Sequence, residues 1–114
     1  MRDNEAHPRC LPPPKTWEEY IEVAKAVNGQ DMNGDGEGDF GSCIFKKRNA
    51  QSYFAMGTIA APYVQTKGTG EGIYFNNDDM TPKINNAAWQ EAFRIYKATG
   101  EAGPPDELNH DIGD

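Results

Sequence analysis

Apolar positions between residues 16 and 100 fall into three stripes at helical spacing, separated by polar, glycine-rich breaks. Trp17, Tyr20, Ile21, Ala24 and Val27 form the first stripe, with Glu18, Glu22 and Lys25 off it. Thr16 with Glu19 three residues later is a capping box, and Asn28-Gly29 ends the helix. A second helix is expected from about Asn49 to Ala61, its stripe being Ala50, Tyr53, Phe54, Gly57, Ala60 and Ala61, with Pro62 limiting continuation. A third runs from an Asn86 cap to about Thr99 with Trp89, Ala92, Phe93 and Tyr96 on one face, and Gly100 stops it. Short strands are expected within Phe40–Phe45, at Ile73-Tyr74-Phe75, and at Thr81–Ile84 after an Asn76–Asp79 turn; Pro82 would hold the last on an edge. The pattern therefore predicts a mixed α and β fold of about three helices and a few short strands. Residues 1–15, with Pro12-Pro13-Pro14, read as an extended arm, 16–100 as the folded part and 101–114 as a flexible tail.

The most distinctive polar segment comes directly after the first helix. Asp31 to Asp39 reads D-M-N-G-D-G-E-G-D, with oxygen-bearing side chains at Asp31, Asn33, Asp35, Glu37 and Asp39 and glycines between them. Calcium takes six to eight oxygens from a short curled segment. On the EF-hand template Asp31, Asn33 and Asp35 take positions 1, 3 and 5, Gly36 the turn at 6, the Glu37 carbonyl 7 and Asp39 position 9. Position 12, normally a bidentate Glu, is Ser42. These residues predict a structural Ca²⁺ loop that pins the first helix to the next strand. The competing reading is a solvated turn rich in Asp, Asn and Gly.

Composition narrows the partners. The chain has 114 residues, 12 glycines, 8 prolines and a net charge of −7, which bounds it to one domain at most. That charge argues against nucleic acid and anionic membranes, both of which demand clustered Lys and Arg. The basic run Lys46-Lys47-Arg48 is short and reads as a solvated loop. No apolar stretch approaches a membrane span, and no hydrophobic signal segment comes after Met1, so an exported chain is expected to be a mature or excised piece. Cys10 and Cys43 form an even pair that reads on count alone either as a bridge contributing roughly 3–4 kcal/mol or as two reduced thiols of a cytosolic protein; together with a calcium loop the bridge is favoured and points to an extracellular or periplasmic setting.

Catalysis has little support. His7 and His110 lie in terminal segments, where a pre-organised acid–base site is not expected, and neither cysteine has a histidine in a predicted element to serve it. Asp78 and Asp79 read as turn residues, and Gly68–Gly72 lacks the Lys-Ser/Thr of a phosphate loop. Most aromatics fall at core spacing; Tyr63, Tyr74 and Trp89 are the candidates to stack on a sugar ring.

Several segments together carry a family resemblance. Pro14-Lys15-Thr16-Trp17-Glu18-Glu19, continuing into Ala24-Lys25, resembles the helix opening of extracellular solute-binding proteins of ABC importers, in the sugar-binding branch. Asp31–Gly41 resembles the acidic loop and aromatic-Gly pair that come next in that family, where some members hold Ca²⁺. Gly72–Asp78, Thr81–Asn85 and Ala92–Lys97 are similar to its later strand, turn and helix, so the likeness runs over roughly residues 13 to 105. Family members are several times longer and hold solute between two lobes; this chain resembles part of the second lobe of a type II periplasmic binding protein. The resemblance implies non-catalytic capture of a small polar solute, a carbohydrate above all, with an ABC permease or the rest of a receptor as partner. The alternative is a calcium-stabilised protein-interaction or sensor module of a larger receptor.

Overall fold

Three helices carry the fold: α1 (Trp17–Val27), α2 (Ala50–Val64) and α3 (Ala87–Thr99). The computed structural model describes residues 11–48 and 50–110. At the start of α1 the Thr16 hydroxyl accepts from the Glu19 amide at 3.1 Å, while the Glu19 carboxylate reaches back to the Lys15 amide at 2.7 Å, so two otherwise orphaned donors are satisfied. Asn86 caps α3 in the same way, accepting from the Trp89 amide at 3.0 Å.

The core lies where α3 packs along α2 and, over a smaller area, against α1. It consists of Ile21 from α1, Met56, Ile59, Ala60 and Val64 from α2, and Trp89, Ala92 and Ile95 from α3. The face of α2 differs from the sequence expectation, because Tyr53 and Phe54 are exposed and Met56, Ile59 and Val64 are buried in their place. That helix is apolar nearly all round (AQSYFAMGTIAAPYV), so periodicity does not select its buried side. It also runs past Pro62 to Val64. The proline costs one helical amide, but Gln65 still donates to the Ala61 carbonyl at 2.8 Å and Val64 is drawn into the core.

The expected mixed α and β lobe is overturned. The described residues form helices with no sheet, and the only ladder contact among them is one antiparallel bridge between Phe75 and Pro82. The physical reason is visible in the amides. Along 40–45, Ser42 donates to the Ala102 carbonyl at 3.0 Å and Ile44 to the Glu107 carboxylate at 3.0 Å; neither meets a neighbouring strand. At 73–84 the turn closes through Asn76 N–H to Thr81 O and Lys83 N–H to Tyr74 O, but Pro82 has no amide to extend the ladder.

Beyond α3 the chain makes short 3-10 turns at Gly100–Ala102 and Glu107–Asn109. Ala102 and Glu107 are buried there. Glu107 forms an ion pair with Lys46 at 2.8 Å, the two side chains 5% and 9% exposed. No helix among the described residues is long and apolar enough to cross a membrane.

Candidate functional site

The acidic loop is closed by its own amides. Asp31 accepts from Gly34 N–H at 2.6 Å and Asp35 N–H at 3.1 Å on one oxygen, and from Gly36 N–H at 2.9 Å on the other. Gly34 and Gly36 sit at φ +85° and +91°, the left-handed region that glycine reaches without strain, and this bends the strand of amides over Asp31. Asp35 accepts from Glu37 N–H at 2.8 Å, and Asp39 accepts from Met32 N–H at 2.7 Å. The Asn33 amide group stands between Asp35 and Asp39, at 3.0 and 3.4 Å. Two backbone bonds, Gly29 N–H to Asp39 O and Asp39 N–H to Gln30 O, tie the ends of the loop together.

Two expectations are corrected here. Among the described residues no group of three or more His, Cys, Asp or Glu is arranged to hold a metal ion, so the acids among the expected ligands, Asp31, Asp35, Glu37 and Asp39, are not gathered into a metal-binding group. Alternating oxygens serve inward-turned amides as readily as a cation. Ser42, at the template's twelfth position, is spent elsewhere: its hydroxyl meets the Tyr20 hydroxyl at 2.8 Å. The expected Cys10–Cys43 disulfide is also overturned, since Cys43 is a free, exposed thiol; Cys10 lies outside the described residues.

The Gly36 and Gly34 amides hold the Asp31 carboxyl below its ordinary value of 3.8, against an opposing contribution from burial. A depressed folded-state pKa contributes stability that is present above the unfolded value and lost as pH falls through the folded one. The melting temperature of Asp31→Ala should therefore lie below that of wild type at pH 7, with the gap closing as pH drops below about 4. A gap that stays constant down to pH 2 would contradict this role for the carboxylate.

The second feature is an aromatic row across α2, the 73–75 segment and α3. Tyr53 stacks on Tyr74 with ring centroids 5.2 Å apart and planes 14° from parallel. Tyr74 lies 5.3 Å from Trp89, and Trp89 lies 6.3 Å from Phe93. A Cβ at Gly57 would overlap the Tyr74 hydroxyl, so a glycine one turn along from Tyr53 is what lets Tyr74 lie against α2. Burial, then the adjacent Tyr53 hydroxyl, pushes the Tyr74 hydroxyl up to about 12, and it remains a neutral phenol through the physiological range.

Of the residues expected to meet a sugar, Tyr74 and Trp89 are brought together and Tyr63 is not. Trp89 is 4% exposed and its indole N–H donates to the Ile73 carbonyl at 3.3 Å, so it supports the row from beneath. Tyr63 lies at the other end of α2, lining an open cavity of about 570 Å³ with Pro14, Trp17, Tyr20 and Pro62; burial, then Glu91 and Glu18, raise its hydroxyl pKa. Sequence reasoning missed the two surface members of the row, Phe93, 57% exposed, and Tyr53, 52% exposed. Spacing puts Tyr53 on the core stripe, because helical periodicity alone does not tell which side of α2 is covered.

No known protein family, curated protein or solved structure matches this chain.

Proposed function

We propose that the chain is a non-catalytic solute-binding segment, working outside the cytoplasm as part of a larger binding protein of the kind that serves ABC importers, and that its aromatic row is one wall for a polar solute, a carbohydrate above all. The observation that carries this is the Tyr53–Tyr74 stack, seated on buried Trp89 and held against α2 by Gly57. Such a surface offers a flat apolar face with the hydroxyl of exposed Tyr53 at its edge, which suits rings that carry both C–H faces and hydroxyls. The sequence resemblance to sugar-binding importer proteins supports the same substrate class. A single wall gives weak capture, with a Kd near 1 mM, about 4 kcal/mol of binding.

Calorimetric titration with neutral oligosaccharides tests this. Tyr53→Ala should weaken binding about fivefold, in keeping with roughly 1 kcal/mol for an aromatic stacking contact, while Tyr63→Ala leaves it unchanged. Binding that survives Tyr53→Ala and is lost on Tyr63→Ala would move the site to the cavity beside Trp17. A second reading, a protein-interaction or sensor module of a larger receptor, is favoured by exposed Phe54, Met80, Ile84, Phe93 and Leu108. It predicts no response to any oligosaccharide.

A further inference from the structure

Cys43, His110 and Asp106 come together although the cysteine and histidine are 67 positions apart. Cys43 Sγ lies 4.0 Å from His110 Nδ1, within the reach of a sulfur hydrogen bond, and His110 Nε2 lies 3.0 Å from Asp106 Oδ1. Asp106 is an acceptor, so Nε2 carries the hydrogen and the Nδ1 lone pair faces the thiol. A nucleophile, a base beside it and an acid orienting the base form the arrangement that activates thiols. Hydrogen bonds tie the two segments that carry it to each other. Asp106 and His110 flank the Glu107–Asn109 turn, Lys47 N–H donates to the His110 carbonyl at 3.1 Å, and Ile44 N–H donates to buried Glu107. Cys43 is exposed, and the exposed Lys47 and Arg48 lie four and five residues after it.

We propose that Cys43 is a thiol-modification site that forms mixed disulfides with small, carboxylate-bearing disulfides, with His110 as the base and Asp106 as its positioning residue. His110 Nδ1 takes the thiol proton, and the Cys43 thiolate attacks one sulfur of the small disulfide. That S–S bond breaks as the new one forms, and the departing thiolate takes the proton back from His110. Cys43 is oxidised, the small disulfide is reduced to one thiol, and no further reagent is needed. Lys47 and Arg48 supply the positive charge that favours an anionic partner. This inference stands apart from the solute-binding reading and does not depend on it.

The test uses the full chain carrying Cys10→Ser, so that one thiol reports. The probe is dithiobis(nitrobenzoate), an anionic aromatic disulfide whose released thiolate absorbs visible light. At pH 7, His110→Asn should slow the reaction about fivefold and Asp106→Asn by a smaller factor, both variants retaining helical circular dichroism. The native protein should also react faster than the same chain unfolded in urea, a comparison that holds even if a variant fails to fold. In the wild-type chain treated with glutathione disulfide, peptide mass spectrometry should find the adduct on Cys43. Equal rates for native and unfolded protein, an unchanged rate in a folded His110→Asn, or an adduct confined to Cys10 would each overturn the proposal.

Discussion

Glu107→Ala is expected to destabilise this chain by about 3–5 kcal/mol, the cost of leaving a buried cation without its partner. Small domains have roughly 5–15 kcal/mol in all, so the variant should approach unfolding at 37 °C. Lys46 Nζ lies 2.8 Å from Glu107 Oε2, in charge contact but without the alignment of a hydrogen bond. It also donates to the Thr99 hydroxyl at 2.9 Å and the Ile44 carbonyl at 3.2 Å, and rests 4.9 Å from the centre of the Tyr96 ring. Removing the carboxylate strands the ammonium among groups too weak to replace it, and removes the acceptor of Ile44 N–H as well. The pair itself is not the source of net stability, since desolvating two charges offsets their attraction. Lys46→Met with Glu107→Gln keeps an acceptor for Ile44 and should therefore recover most of the loss. Urea unfolding measures both; a cost under 1 kcal/mol for Glu107→Ala would contradict this view of the pair.

Trp89→Ala should cost a comparable 3–5 kcal/mol, roughly the range for removing a large buried aromatic. Trp89 is packed with Met56, Ile59 and Ala60 of α2 in the core cluster, and its ring lies between Tyr74 and Phe93. The cavity would open beneath the aromatic row, so stacking of Tyr53 on Tyr74 should loosen together with the fold. Trp89→Phe retains most of the volume but leaves the Ile73 carbonyl without its donor, at about 1–3 kcal/mol. Fluorescence of the remaining Trp17 during urea unfolding reports both variants. Equal stabilities for Trp89→Ala and wild type would place the core elsewhere.

Local signals are legible in the sequence. The Thr16 and Asn86 caps, the Trp17–Val27 stripe and the place of α3 come from spacing and side-chain chemistry within one helical turn. Features set by distant partners are not legible in this way. Nothing near Phe40–Phe45 shows that its amides go to Ala102 and Glu107, so an apolar run reads as a strand. Lys46 and Glu107 read as solvated charges until each is seen to bury the other. The acidic loop stands out by its alternating oxygens, but the same alternation fits a cation and the inward amides of Gly34 and Gly36 alike. In the aromatic row, sequence points to Tyr74 and Trp89 and not to Tyr53, because the role of Tyr53 depends on which face of α2 the other helices cover. The terminal position of His110 argues against a site there, yet the Glu107 anchor brings it to Cys43.

A backbone amide NMR titration of the full chain with neutral oligosaccharides tests the solute-binding proposal most directly. The expected result is a set of shifts confined to Tyr53, Phe54, Gly57, Tyr74, Phe75 and their neighbours, saturating in the millimolar range. Shifts confined to Asp31–Asp39 or to the surroundings of Trp17 and Tyr63, or no shifts at all, would contradict it.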